Sequence, residues 1–172
     1  MKRSFLLLLI IGLLVPAVYS QIRIVPLRGS KIKLVYGKHN ATVDLEDAVA
    51  GTNGALPGIP PNIYKVLFTA EKDGNLYLVA NIRSHSPITS KNAPCGGDSP
   101  QAILWIKTDK KLEERKFQSE IYESCSYNYY RSGVAVGKFI LTVIFGNKPV
   151  KVLSYDNREP EKGLVVSEAN GK

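Results

Sequence analysis

The chain is 172 residues long, with 23 Lys and Arg against 15 Asp and Glu, a formal net charge of +8, two histidines and two cysteines. So few ligand side chains, none in an HxH, HxxxH or CxxC spacing, exclude a recognisable zinc centre, and the lack of any basic block interleaved with aromatics argues against nucleic acid. The positive balance reads first as a solubility device and second as weak attraction to anionic partners such as wall polymers, acidic glycans or an acidic protein.

Residues 1–20 have the pattern of a secretory signal peptide. Lys2 and Arg3 precede the apolar run 5–15, Pro16 breaks it, and Val18 and Ser20 are small enough for the cleavage positions. The run is shorter than the ~20 apolar residues that span a bilayer. Cleavage after Ser20 leaves 152 of the 172 residues and a charge of +6, since Lys2 and Arg3 are lost. That is long enough for one domain with its own core. No later run is apolar enough to cross a membrane, so the expectation is a secreted or periplasmic protein with no membrane span. In that compartment Cys95 and Cys125 are expected to form one disulfide.

Residues 21–27 (QIRIVPL) read as a strand with Ile22, Ile24 and Pro26 on one face, and Pro26 places it at a sheet edge because it has no ladder donor. After the turn Arg28-Gly29-Ser30, residues 31–36 (KIKLVY) alternate with Ile32, Leu34 and Tyr36 inward, completing a first hairpin. Residues 37–62 contain four glycines and three prolines. They are expected to be a long loop with one helical turn over 44–50 at most. The sequon Asn40-Ala41-Thr42 lies within it.

Residues 64–83 form a second hairpin about Glu71-Lys72-Asp73-Gly74, which pairs Phe68 with Val79 and Val66 with Asn81. Leu76, Leu78, Ala80 and Ile82 share one face, Tyr77 and Val79 the other. Both faces are mostly apolar, which suggests central strands in a sandwich rather than a sheet with one wet face. After a second long connection, residues 101–108 are again apolar on both faces, Ile103 and Trp105 opposing Ala102, Leu104 and Ile106. A loop at Asp109-Lys110-Lys111 pairs Thr108 with Leu112 and starts a strand over 112–124. That register carries Cys95 opposite Cys125. Residues 126–132 (SYNYYRS) read as a tyrosine-rich loop. Residues 137–155 form a third hairpin about Gly146-Asn147, with Val143 facing Val150, Leu141 facing Val152, and Pro149 marking an edge. A charged turn over 156–162 and one short strand over 163–167 follow, and 168–172 frays.

About eight strands joined by hairpins, with little helix, predict an all-β fold. The expected form is one antiparallel β-sandwich domain over 21–167 stapled by one disulfide, with a small β-barrel as the alternative.

The chemistry is sparse. A thiol nucleophile paired with His39 or His85 lacks any catalytic-cysteine signature, and a disulfide accounts for both cysteines. There is no GxSxG elbow. Asp44, Glu46 and Asp47, or Asp73 and Asn75, read as solvated turns rather than calcium ligands. No cofactor is implied. A carboxylate pair for glycoside hydrolysis would come from Glu113, Glu114, Glu120 and Glu123, of which Glu120 stands beside apolar Ile121 and Tyr122. The best signal is aromatic. Tyr122, Tyr127, Tyr129 and Tyr130 cluster with Arg131 around Cys125, and tyrosine on loops offers contact area and a hydrogen bond at low entropic cost. The expected function is a non-enzymatic secreted module that binds a protein or glycan at the disulfide end. The alternatives are a small hydrolase using a carboxylate pair, and an assembly module pairing through an edge strand at Pro26 or Pro149.

Overall fold

Strict alternation of side chains along the strands decides how this chain stacks. The computed structural model of the chain describes residues 21–48, 61–84, 100–124, 129–146 and 149–169. They form eleven strands in three antiparallel sheets, with one short α-helix and one 3-10 turn. The first sheet is β1 (Arg23–Pro26), β2 (Lys31–Tyr36) and β3 (His39–Asp44), followed by α1 (Leu45–Ala48). The second is β4 (Pro61–Lys72), β5 (Asn75–Ser84), β6 (Gln101–Asp109) and β7 (Arg115–Glu123). The third is β8 (Arg131–Val136), β9 (Ile140–Phe145), β10 (Lys151–Asp156) and β11 (Val165–Glu168). In every sheet, strands adjacent in sequence are adjacent in space. Each sheet is therefore a meander built from one continuous stretch of chain.

The second sheet is the middle layer. Leu76, Leu78, Ala80 and Ile82 of β5, with Ala102, Leu104 and Ile106 of β6, pack against Ile32, Leu34 and Val43 of the first sheet. Tyr77, Val79, Ile103 and Trp105, which alternate with them, pack against Leu141, Val143, Phe145, Leu153 and Tyr155 of the third. Burying each large apolar side chain stabilises the fold by about 1.5–3 kcal/mol. The two cores together leave no wet face on the central parts of β5 and β6. Trp105 donates its indole N–H to the Pro160 carbonyl at 3.0 Å, so the 3-10 turn Pro160–Lys162 closes one end of the second core. Gly163 follows at φ 69°, ψ −154°. A Cβ there would run into the Gln118 side chain, whose Oε1 accepts the Leu164 amide at 2.8 Å.

The antiparallel all-β architecture agrees with the sequence reading, but three stacked sheets and eleven strands replace a sandwich of about eight. Two strands lay hidden, β3 in a stretch read as loop and β8 largely in residues 133–136, to which no element was assigned. β3 occupies the start of the 37–62 segment, pairing His39–Asp44 with Tyr36–Lys31 and turning only Ala41 and Val43 toward the core. β8 follows the tyrosine-rich stretch, with an exposed, glycine-containing sequence that gives no alternation signal. The short helical turn expected after Asp44 is α1. Pro26 sits in the edge strand β1 as expected, whereas Pro149 precedes β10, which is paired on both sides, and marks no edge.

A bulge and two turns change three registers. Phe68 faces Val79 as expected, but a bulge at Leu67 moves Val66 from Asn81 to Ala80. In the third sheet Val143 faces Leu153 and Leu141 faces Tyr155, because the β9–β10 connection is longer than a two-residue turn. Thr108 pairs with Arg115 rather than Leu112. Asp109 is the cause of this last shift. Its carboxylate accepts the amides of Lys111, Glu113 and Glu114 at 3.2, 2.7 and 3.0 Å, which holds the segment after it as a wide turn. Burial opposes ionisation of Asp109, but these amides outweigh it and hold its pKa below the usual carboxylate value. The same register removes the argument that the β6–β7 ladder carries Cys95 opposite Cys125. Both cysteines lie outside the described residues.

Leu112 sits in this turn at φ 64° yet is 1 % exposed. A left-handed non-glycine residue costs roughly 1–2 kcal/mol, and burial of leucine in the first core offsets it. Leu112→Ala is expected to lose about 2–5 kcal/mol. Leu112→Gly gives up the same contacts but relieves the backbone, so it should be more stable than Leu112→Ala by about 1 kcal/mol, reversing the usual order. Urea denaturation of the two variants checks this, and a glycine variant less stable than the alanine variant would contradict it.

Candidate functional site

At one end of the middle sheet the apolar pattern of the second core gives way to polar side chains. Asn81 of β5 and Gln101 of β6 follow Val79 and Ile103 on the face that looks toward the third sheet. On β7 a bulge sets Gln101 opposite Glu123 while Ala102 faces Ile121, so Tyr122 is the extra residue. The tyrosine hydroxyl donates to Gln101 Oε1 at 2.8 Å, with Asn81 Oδ1 a weaker second acceptor at 3.3 Å. Gln101 Nε2 donates to Glu123 Oε2 at 2.7 Å, and Arg131 Nε lies 3.5 Å from that oxygen. A continuous chain of polar contacts thus runs from the core to an exposed guanidinium. Low local dielectric makes such a satisfied network stiff.

The predicted tyrosines divide within this end of the fold. Tyr122 is 1 % exposed, and burial pushes its hydroxyl pKa up. It supports the surface from beneath. Tyr129 is half-buried and forms a β-bridge with Ser124 through backbone hydrogen bonds of 3.0 and 2.9 Å. Its ring meets Phe145 edge-on at 5.6 Å, and Lys151 Nζ sits 5.2 Å above it and donates to its hydroxyl at 3.4 Å. Tyr129 touches both cores at the β7 margin. Tyr130 is 49 % exposed, and its carbonyl accepts the Gly146 amide at 3.0 Å. Arg131 opens β8 beside it, opposite Phe145. Tyr127, Cys95 and Cys125 lie outside the described residues.

Asn81, Gln101 and Lys151 escaped the sequence reading. The signal for the first was a polar residue in the run NLYLVANIR, where alternation demands an apolar one.

The candidate carboxylates are dispersed along β7. Glu113 and Glu114 sit in the Asp109 turn, about 20 Å along the strand from Glu120 at ~3.3 Å per residue, too far for a pair that needs about 5–10 Å. Glu123 is taken up by Gln101 and Arg131. Glu120 is 6 % exposed and faces the third sheet. Burial raises its pKa, and the attraction of Lys151 only partly opposes this. Folding therefore favours the protonated acid. The stability this adds is complete below the ordinary value of 4.5 and is lost as pH rises through the raised folded value. Glu120→Gln should remove that loss. Its stability relative to the parent chain should grow from about pH 4 to about pH 8, as read by urea denaturation at each pH. A difference that stays constant or shrinks would contradict the assignment.

Comparison with protein-family models, with curated proteins and with solved structures finds no match to this chain, so the site stands on its own geometry.

Proposed function

We propose that the mature chain is a secreted or periplasmic, non-enzymatic binding module that recognises a protein or glycan through the surface around the β7–β8 connection. One observation carries this reading. Tyr130 and Arg131 are consecutive and both exposed, and Arg131 is tied through Glu123 and Gln101 to buried Tyr122. A guanidinium held by Glu123 loses little freedom on binding, and a tyrosine with few rotatable bonds adds contact area at low entropic cost. Tyrosine stacks on sugar faces or fills a protein pocket, and Arg131 adds donors for a carboxylate or hydroxyl.

The same reading includes two covalent features. Residues 1–20 are removed on export, and Cys95 pairs with Cys125, tying the β5–β6 connection to the β7–β8 connection. Among the described residues no helix is long and apolar enough to cross a membrane.

The module is tested with Tyr130→Ala and Arg131→Ala, screened against immobilised glycans and extracellular proteins that retain the parent chain. Each variant should keep its stability within about 0.5 kcal/mol, because both side chains are exposed. Each should bind a retained ligand at least about tenfold more weakly. Unchanged affinity in both would move recognition elsewhere. Recovered protein should begin at Gln21 and take up a thiol label only after reduction. Labelling without reduction would refute the disulfide.

A further inference from the structure

The opposite end of the same face holds an arrangement that the strands themselves do not favour. Tyr77, Lys107 and Lys116 form a row across β5, β6 and β7, with Lys107 directly opposite Lys116 in the ladder and Arg115 next along β7. Like charges directly opposite one another destabilise a strand pair. Nearby lysines are neutralised: Lys72 pairs with Glu161, Lys110 with Glu71 and Lys162 with Glu159. Among the described residues no carboxylate forms an ion pair with Lys107, Lys116 or Arg115, although Glu114 lines the same cleft. The cleft holds about 390 Å³ between Asn75, Lys107, Glu114, Arg115 and Lys116. Lys107 is half-buried with its Nζ 5.9 Å from the centre of the Tyr77 ring, which limits its freedom to swing away.

We propose that this cleft binds a tetrahedral oxyanion, phosphate or sulfate, either free or as an ester. Two paired lysines against the one lining carboxylate, Glu114, give it a net positive field, while Arg115 alternates toward the other face opposite Thr108. Lys107 and Lys116 stand opposite each other on neighbouring strands, and ammonium groups supply the charge-assisted hydrogen bonds that such an anion takes. The volume exceeds that of one oxyanion and leaves room for the group that carries it. This site is separate from the Tyr130–Arg131 surface and does not depend on that reading.

Amide chemical shifts are followed as inorganic phosphate, inorganic sulfate or a sulfated disaccharide is added at constant ionic strength, with the unsulfated disaccharide as control. Saturable shifts at Asn75, Lys107 and Lys116 are expected. Lys107→Gln and Lys116→Gln should each weaken binding about tenfold. The thermal midpoint of Lys116→Gln should be equal to or above that of the parent, since the like-charge contact is relieved, so loss of binding is not loss of fold. Saturation by the inorganic ions assigns a free oxyanion, and saturation by the sulfated sugar alone assigns an ester. Shifts that never saturate with any probe, equal binding of the unsulfated sugar, or unchanged affinity in both variants would overturn the proposal.

Discussion

β5 and β6 have no side that tolerates water. Leu78 and Leu104 point one way, Val79 and Trp105 the other, and all four are 4 % exposed or less. Two adjacent strands of this kind cannot lie in a sheet with a solvated face, so the chain needs a cover on each side. The first meander is one cover and the third is the other. Their own polarity follows. Only one face of each carries the buried residues, and their outer faces and margins keep the exposed side chains. The Trp105–Pro160 hydrogen bond and the fit of Gly163 against Gln118 secure the third layer to the middle one.

The pattern was visible in the residues, since NLYLVANIR and QAILWIKT are mostly apolar in both phases of a period-two pattern, but it was read as central strands of a sandwich rather than as a middle layer between two sheets. An ordinary two-sheet sandwich does not contain such strands, since each of its sheets has an outer face. The face assignments of β2, β5 and β6 were legible for the same reason: alternation survives wherever burial is strong. What was not legible depended on turns. The Asp109 carboxylate gathers three amides and converts an expected tight loop into a wide one, a tertiary choice that no count of intervening residues reveals. β3 and β8 were missed because marginal strands bury too little to leave a pattern.

The site was half legible. A tyrosine-rich segment announces aromatic surface, but composition does not say which ring is under the surface and which is on it. The β7 bulge makes that division. It puts Tyr122 into the core with its hydroxyl on Gln101 and leaves Glu123 beside Arg131. Asn81 and Gln101 are polar residues beside the apolar centre of this face, and their cost is offset because each finds a partner. Glu120 is the exception in the same layer. It faces Lys151 without a close ion pair, and its raised pKa expresses the burial.

Because every sheet is made of consecutive strands, the chain completes its layers in the order in which it is synthesised. The first meander and then the middle one can pair all their own strands with no help from downstream sequence, an unusually local scheme for a β-protein. Between the emergence of β7 and the arrival of β9 and β10, however, Tyr77, Val79, Ile103 and Trp105 have nothing to pack against. A nascent chain stopped there would present a sheet-sized apolar plane to its surroundings, the kind of transient surface that holding chaperones occupy. The third layer is therefore less an addition to a finished domain than the step that ends the chain's exposure.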